Sequence, residues 1–243
     1  MKNSGKISGV DNKLKPNYHE QKVAAHGSRE ASVFLVNEAP GDCETYYGIP
    51  SVASQGGNIY RTLRKAGVLW AVEHMNFSWP TRIQCNYAKS DAKIVVQQFV
   101  ERDDALGVRA RYITCTNAYD RWPTKGKKKF ISPEKERVLD TNNLGRLRRE
   151  ATSNHRVLLI CGKAAWLACH GTELTDQNAI ERTQISANDL QVINGRLRVS
   201  FECGWYMGYT GRWTLRTNKQ GPLRLAHEVL RDVAKAAGWP LVK

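Results

Sequence analysis

A carboxylate follows directly on the first strongly apolar run of the chain. Residues 33–36 (VFLV) precede Asn37-Glu38-Ala39-Pro40-Gly41, so Glu38 lies where a buried strand ends and a Pro-Gly turn begins. A carboxylate held close to a sheet can orient a water molecule or stabilise a cationic transition state. It can equally cap a turn, and the spacing favours neither interpretation.

An amide occupies the same kind of position further along the chain. Asn117 follows Thr114-Cys115-Thr116, at the end of a second predicted strand. An Asn side chain has donors and an acceptor, which is enough to read the edge of a nucleobase. Asn is also a common turn residue, so this signal is weak alone.

Basic residues with an aromatic among them come next. Arg121-Trp122-Pro123 leads into a lysine-rich run at residues 125–129 (KGKKK). We expect Arg121, Lys125 and Lys127 to contact phosphates of a nucleic acid. A solvated lysine run is the alternative interpretation.

The segment at residues 204–213 (GWYMGYTGRW) combines four aromatic side chains with a Met and an Arg. Such a loop is unusual as exposed surface. It can serve as a wedge or stacking platform for DNA bases, or it can fold back as a small satellite core. Both interpretations stay open.

The overall charge indicates a polyanionic partner. Among 243 residues, 37 Lys and Arg outnumber 23 Asp and Glu, for a formal net charge of +14, and nucleic acid is the leading candidate. No run approaches the roughly 18 apolar residues of a membrane span, and the first ten residues lack an apolar signal region, so we expect a cytoplasmic protein. The six cysteines form no C-x-x-C pair, which predicts free thiols and neither a metal site nor an iron–sulfur cluster.

Strands that alternate with helices must position these residues, and this alternation predicts an α/β fold with a parallel sheet. We predict strands at residues 33–36, 112–114, 157–160 and 197–201. Function then gathers in the loops at the carboxyl ends of the strands. Residues 1–30 are predicted to be a flexible basic arm, and residues 31–243 a single domain.

The helix predictions rest on spacing and on terminal residues. Residues 37–57 are rich in Gly, Pro, Ser and Asp and are predicted to be a long loop, followed by a helix that Gly67 ends. A second helix is predicted over residues 91–106, and a third is predicted to start with Ser132 as N-cap and Pro133 at the first helical position. Two more helices are predicted, one directly after Gly162 and one over residues 226–237.

Taken together, these motifs resemble the uracil-DNA glycosylase superfamily. The matching segments, in chain order, are VNEAPG at 36–41, GIP at 48–50, SQGG at 54–57 leading into residues 63–67, Thr116-Asn117 with Pro123, and the strand–turn–helix at 157–165. The resemblance covers about residues 31–237. It implies a three-layer α/β/α domain around a mainly parallel, four-stranded sheet.

The resemblance also implies an activity. Glu38, with Asn37 beside it, would position water or support the sugar cation, and Asn117 would read a base that has been flipped out of the duplex. Gly41, Tyr47 and Ser51 would line the base pocket. The DNA contacts implied are Ser54, Gln55, Gly56, Lys163, Thr210, Gly211 and Arg212. The enzyme would be a monomer that needs no cofactor.

The chain departs from the superfamily at three places. Asp120 precedes Arg121 where one branch has an iron–sulfur cysteine, Ser51 replaces a ring that stacks on uracil, and residues 209–212 (YTGR) stand where a His-Pro-Ser loop is expected. An open pocket at Ser51 favours a bulky modified pyrimidine, such as the glucosylated hydroxymethylcytosine of phage DNA, and so a role in anti-phage defence. The alternatives are uracil release in base-excision repair, an inactive DNA-binding or base-sensing module on the same fold, and an RNA- or nucleotide-processing protein.

Overall fold

Three parallel strands form the sheet at the centre of the structure, a computed structural model that describes residues 21–74, 103–123, 133–171, 191–193, 196–198 and 226–242. The strands are β1 (Val33–Asn37), β2 (Ile113–Asn117) and β3 (Val157–Ile160), in the order β2-β1-β3. Every residue of the three strands is buried, as the apolar runs of β1 and β3 predict for a sheet covered on both faces. The α/β class is thereby confirmed.

The helices of the described chain follow in order. They are α1 (Asp42–Tyr47), α2 (Ala53–Lys65), α3 (Leu69–His74), α4 (Asp103–Tyr112), α5 (Lys135–Val138), α6 (Thr141–Glu150), α7 (Lys163–His170) and α8 (Ala226–Ala237). None of these helices is long and apolar enough to cross a bilayer.

Two apolar clusters join these helices to opposite faces of the sheet. On one face, Val33 and Leu35 pack with side chains of α2, α3, α4 and α8, such as Leu63 and Leu230. On the other face, Phe34 and Val36 pack with side chains of α5, α6 and α7, among them Leu147. The alternation of side chains along each strand sends neighbouring residues into different clusters. The segment after β1 leads to α2 in the first cluster, and the segment after β3 leads to α7 in the second, so the chain leaves these two strands toward opposite faces.

The lead-in to β1 belongs to the folded body. Val23 is buried and its N–H donates to the carbonyl of Asp120 at 2.8 Å, while His26 and Cys115 exchange two backbone hydrogen bonds of 2.9 Å. Gly27 has φ +150°, and a Cβ there would be 2.4 Å from the Cα of Thr114. Residues 21–30 therefore cover the outer edge of β2, which needs pairing or cover, and are not a flexible arm. Residues 1–20 lie outside the described residues.

The fourth predicted strand is not part of the described sheet. Residues 191–193 (β4, Gln191–Ile193) and 196–198 (β5, Arg196–Arg198) form a separate antiparallel pair in which Leu197 faces Val192. Residues 199–201 lie outside the described residues, so a four-stranded sheet stays a prediction.

Several helices and strands begin or end at other residues than the sequence predicts. The predicted loop 37–57 contains α1 and the start of α2, because the Glu44 carboxylate accepts the Gly41 N–H at 2.7 Å and closes a short helix that the composition conceals. Tyr112 ends a helix instead of starting a strand, and its ring stacks on Trp70 with centroids 4.6 Å apart.

The helix predicted from Ser132 begins later. The helix starts at Lys135, with Glu134 as its N-cap. The Glu134 carbonyl accepts the N–H groups of Arg137 and Val138, which are the first hydrogen bonds of the helix. The helix predicted over residues 91–106 lies mostly outside the described residues, where only α4 from Asp103 onward overlaps it. The other helix predictions are confirmed: α2 is followed by Gly67 at φ +78°, α7 starts directly after Gly162, and α8 is followed by Gly238 at φ +74°.

Candidate functional site

The carboxyl ends of the three strands meet along one edge. Beyond the strands, the N–H of Ala118 donates to the Asn37 carbonyl at 2.7 Å, that of Tyr119 to the Glu38 carbonyl at 3.0 Å, and that of Cys161 to the Val36 carbonyl at 2.8 Å. The chain leaves β1 and β3 toward opposite faces. In open parallel sheets such a divergence creates the crevice in which ligands bind.

Two amide side chains lie next to each other at this edge. Asn37 and Asn117 are register partners on β1 and β2, so their side chains project from the same face of the sheet. Both are buried, and Asn37 Nδ2 donates to Ser51 Oγ at 2.7 Å. Within the described part of the chain, neither Nδ2 nor Oδ1 of Asn117 has a hydrogen-bond partner, although the residue is 0% exposed.

An unpaired buried amide costs free energy, about 1–3 kcal/mol, unless a ligand completes it. Asn117 offers two donors and an acceptor on one small plane. These are the groups that pair with the hydrogen-bonding edge of a heterocycle. Burial of the unpaired Asn117 amide therefore costs free energy in the free protein, and pairing with a bound heterocycle would remove that cost.

Glu38 projects toward the opposite face and contacts the start of α7. Glu38 is 6% exposed, and its Oε1 accepts the N–H of Ala164 at 3.3 Å. Gly162 has φ +105°, and a Cβ there would be 2.1 Å from Glu38 Cγ. The helix amino terminus favours a negative charge at this position. The structure thus joins Glu38 to the Gly162-Lys163-Ala164 turn, two segments that the sequence analysis chose separately.

Ser51 does not border an open pocket. The residue is 0% exposed, and its hydroxyl accepts the hydrogen bond from Asn37. Its φ of +55° makes it the one non-glycine residue of the described chain in the left-handed region. The expectation of free space at Ser51 is therefore wrong, because the side chain is turned inward and bonded to the amide of Asn37.

Two buried charged residues that the sequence analysis missed hold Ser51. The carboxylate of Glu44 accepts the Ser51 N–H with Oε1 and the Gly41 N–H with Oε2. Nη1 of Arg109 donates to the carbonyls of Pro50 at 3.1 Å and Ser51 at 2.8 Å. The three-residue spacing of Gly41 and Glu44 was a usable capping signal, whereas nothing in the sequence distinguishes Arg109 from a surface arginine.

Burial sets the protonation of the groups around this network. It raises the pKa of Glu44 to about 7, against the opposing effect of the N–H donors of Gly41 and Ser51 and of the Arg109 charge. Burial, followed by the Arg109 charge, lowers the pKa of His26 to about 4. His26 is consequently neutral at pH 7, and its Nδ1 lies 3.0 Å from Arg109 Nη2 as a hydrogen-bond acceptor.

The other predicted site residues are distributed as follows. Gly41 is the N-cap of α1, Tyr47 is its half-buried last residue, and Lys163 is the first residue of α7. Ser54, Gln55 and Gly56 belong to the first turn of α2, where backbone N–H groups lack helical partners. Lys125, Lys127, Thr210, Gly211 and Arg212 lie outside the described residues, as does the aromatic segment 204–213.

Arg121 is exposed and lines a cleft of 740 Å³ beside the end of β2. The cleft wall carries further cationic side chains from Lys22, Arg137, Arg146 and Arg149, together with the acidic residues Asp120, Glu136, Asp140 and Glu150. Arg146 is engaged internally, because Nη1 pairs with Glu150 at 2.8 Å and Nη2 donates to the Asn117 carbonyl at 2.6 Å. Arg121 and Arg149 are thus better suited than Arg146 to contact phosphates.

The described residues contain no group of three His, Cys, Asp or Glu side chains arranged to hold a metal ion. Cys115, Cys161 and Cys169 are buried, and none of the three is in a disulfide bond. No protein-family model matches the chain, and no curated protein matches its sequence.

Proposed function

We propose that the protein is a monofunctional DNA glycosylase, which flips a modified pyrimidine out of DNA and hydrolyses its N-glycosidic bond to leave an abasic site. The observation that carries the proposal is the buried amide of Asn117, without a partner in the described chain and next to Asn37 at the carboxyl edge. The resemblance of residues 36–57, 116–123 and 157–165 to the uracil-DNA glycosylase superfamily supports it.

The chemistry of base release fits the residue types at this edge. Breaking an N-glycosidic bond builds positive charge on the sugar and negative charge on the departing base. Glu38 supplies a carboxylate for the sugar side, fixed by the N–H of Ala164. Asn117 supplies donors for the base side, and charges that develop in a water-poor site respond strongly to such fixed groups.

The amide of Asn117 also limits the substrate. Donor and acceptor groups together can pair with the edge of a uracil or of a cytosine derivative. Because Ser51 is buried, it supplies no free space that would favour a bulky base. We therefore assign the substrate as a modified or deaminated pyrimidine. Release of uracil would indicate a role in DNA repair, and release of a phage-type base would indicate a role in antiviral defence. One base-release assay distinguishes the two.

Binding to DNA rests on charge. The net charge of +14 supplies long-range attraction to phosphates, and exposed Arg121 stands near the end of β2. We propose that Arg121 and the lysine run of residues 125–129 contact the phosphate backbone of the DNA. These contacts carry no base information and serve to position the strand.

The test is a base-release assay on defined oligonucleotides. Single- and double-stranded DNA would carry uracil, hydroxymethylcytosine or its glucosylated form, and alkali-labile abasic sites would be scored. We expect release of at least one base by the wild type and by Glu73→Gln, an exposed-site control, and loss of release in Glu38→Gln and Asn117→Ala. Binding without release from any of these DNAs would replace the proposal with the inactive base-sensing module.

A further inference from the structure

Below the carboxyl edge lies a buried polar arrangement that the proposed chemistry does not use. Glu44 in α1 and Arg109 in α4 approach Ser51 from two sides, and all three residues are buried. We call Glu44 and Arg109 the Ser51 clamp. Ser51 and Arg109 are 58 positions apart in the sequence, so their contact forms only in the folded chain.

The clamp engages all polar backbone groups of a residue in an uncommon conformation. The Ser51 N–H donates to Glu44, the Ser51 carbonyl accepts from Arg109, and φ is +55°. A non-glycine residue persists in the left-handed region only where surrounding contacts over-determine it, and such residues cluster at functional sites. Arg109 additionally holds the preceding carbonyl, that of Pro50.

The hydroxyl of Ser51 transmits this restraint to the carboxyl edge. It accepts the hydrogen bond of Asn37 Nδ2 at 2.7 Å, and Asn37 is the register partner of Asn117. The orientation of the Asn37 amide therefore depends on where the clamp holds Ser51. A rotation of the Pro50–Ser51 peptide would remove this acceptor and so change the hydrogen bonding of the Asn37 amide beside Asn117.

Fold stability alone is a poor reason for this arrangement. Buried charged groups pay a desolvation cost, and well-packed apolar residues of similar volume are often equally stabilising. A carboxylate and a guanidinium offer something that apolar groups lack, because together they bind the N–H and C=O groups of one turn at fixed angles. The chemistry of Glu44 and Arg109 is thus suited to fixing the backbone conformation of the turn at Ser51.

We propose that Glu44 and Arg109 are positioning residues of the base-release site, which hold Ser51 so that its hydroxyl fixes the Asn37 amide beside Asn117. The inference rests on the proposed function, and neither residue touches the base or the sugar. Their effect reaches the reaction through Ser51 and Asn37.

The experiment compares Glu44→Gln and Arg109→Lys with matched controls. Glu73→Gln and Arg111→Lys make the same chemical changes at exposed positions, the latter in the same helix as Arg109. For each folded variant we measure kcat and KM of base release and the NMR signals of the Asn37 side-chain amide. We expect kcat to fall about tenfold or more with KM for DNA within about twofold, as for a misplaced catalytic geometry, and the Asn37 signals to shift.

A double-mutant cycle tests whether Glu44 acts on base release through Ser51. Ser51→Ala removes the hydroxyl and leaves the clamp residues in place, so Glu44→Gln in that background should cause little further loss of kcat. Glu44→Ala should be more damaging than Glu44→Gln, because Gln keeps one acceptor for the two N–H groups. Where a clamp variant fails to fold, Ser51→Ala tests the same link, and a wild-type kcat in Ser51→Ala would overturn the proposal.

The two proposals fail in different ways. If the wild type releases no base, the glycosylase proposal fails, and positioning is then judged by the Asn37 amide signals of the clamp variants. Unchanged Asn37 signals in folded Glu44→Gln and Arg109→Lys overturn the positioning inference whether or not base is released. Shifted signals with a wild-type kcat also overturn it, since the amide would then move without effect on the reaction.

Discussion

The side chain of Glu38 occupies the space that any side chain on Gly162 would require. A Cβ on Gly162 would be 2.1 Å from Glu38 Cγ and 2.4 Å from its Cδ, and the φ of +105° at Gly162 excludes ordinary L-residues in any case. The strand end after β1 and the turn before α7 are thus fitted to each other. The carboxylate is held at the helix start by this fit and by the N–H of Ala164.

Gly162→Ala should displace the Glu38 carboxylate. We expect base release to fall by about 10²-fold and the free energy of unfolding to drop by about 1–3 kcal/mol, from the clash and the backbone strain. Chemical denaturation and the oligonucleotide assay measure the two effects. Gly107→Ala is the matched control, because that Cβ would meet nothing within 4 Å, and in a helix interior it should stabilise by about 0.5–1 kcal/mol. Full activity in a folded Gly162→Ala would contradict a role for this fit.

Glu38→Gln should keep the fold and DNA affinity but lose base release by about 10²-fold or more, because the neutral amide cannot stabilise a sugar cation or take a proton from water. Single-turnover release and fluorescence anisotropy with labelled DNA measure the two properties. Glu73→Gln, at an exposed position, should match the wild type in both. A near-normal release rate in Glu38→Gln would remove this carboxylate from the mechanism.

Asn117→Ala and Asn37→Ala should differ in stability while both lose base release. The Asn117 amide makes no hydrogen bond in the described chain, so Asn117→Ala relieves the cost of about 1–3 kcal/mol for burying an unpaired amide while it also loses packing. The free energy of unfolding should therefore fall by less than about 1 kcal/mol, or rise. Asn37→Ala leaves Ser51 Oγ buried without its donor and should cost about 1–3 kcal/mol. Urea unfolding of the two variants supplies the comparison, and a large loss in Asn117→Ala would mean that this amide has a structural partner.

Glu44 should make stability fall with rising pH. Its pKa is about 7 in the folded protein against an ordinary 4.5, so the folded state holds this proton more tightly than the unfolded chain does. Its contribution is fully present below pH 4.5 and disappears as the pH rises through 7. His26 and His155, whose pKa values are lowered to about 4 by burial, act in the opposite direction between pH 4 and 6.5.

The difference between wild type and Glu44→Gln isolates the carboxyl from the histidines. We expect the free energy of unfolding of the wild type, relative to the variant, to decrease between pH 4.5 and 7.5. Denaturant titrations at five pH values across this range provide the measurement. A difference that stays constant with pH would show that Glu44 titrates normally.

Arg121 should contribute one phosphate contact. Arg121→Gln should weaken DNA binding to a similar degree for all sequences and lower the slope of log affinity against log salt concentration by about one. Arg146→Gln is a useful contrast, since Arg146 pairs with Glu150 and holds the Asn117 carbonyl, so its loss should act on stability and base release more than on the salt slope. Equal slopes for wild type and Arg121→Gln would make Arg121 a plain surface residue.

The sequence by itself determined the parts of this protein that depend on local patterns. The apolar runs at residues 33–36 and 157–160 predicted buried strands, since a strand covered on both faces needs apolar side chains at consecutive positions. Gly67 and Gly238 predicted helix ends, because their left-handed φ values favour glycine. The placement of Asn37 and Asn117 at the carboxyl ends of their strands was likewise predicted from the sequence, whereas the strand order that makes them neighbours came from the structure.

Only the tertiary structure decided how those residues are held. Ser51 was expected at an open pocket and is instead locked between Glu44 and Arg109, and Glu38 meets Gly162 across more than 120 residues of chain. Such contacts are hydrogen bonds and close approaches between distant segments. Local periodicity reports which side chains are buried, but the partner of a buried polar group is chosen by the path of the whole chain, and that path exists only in the folded protein.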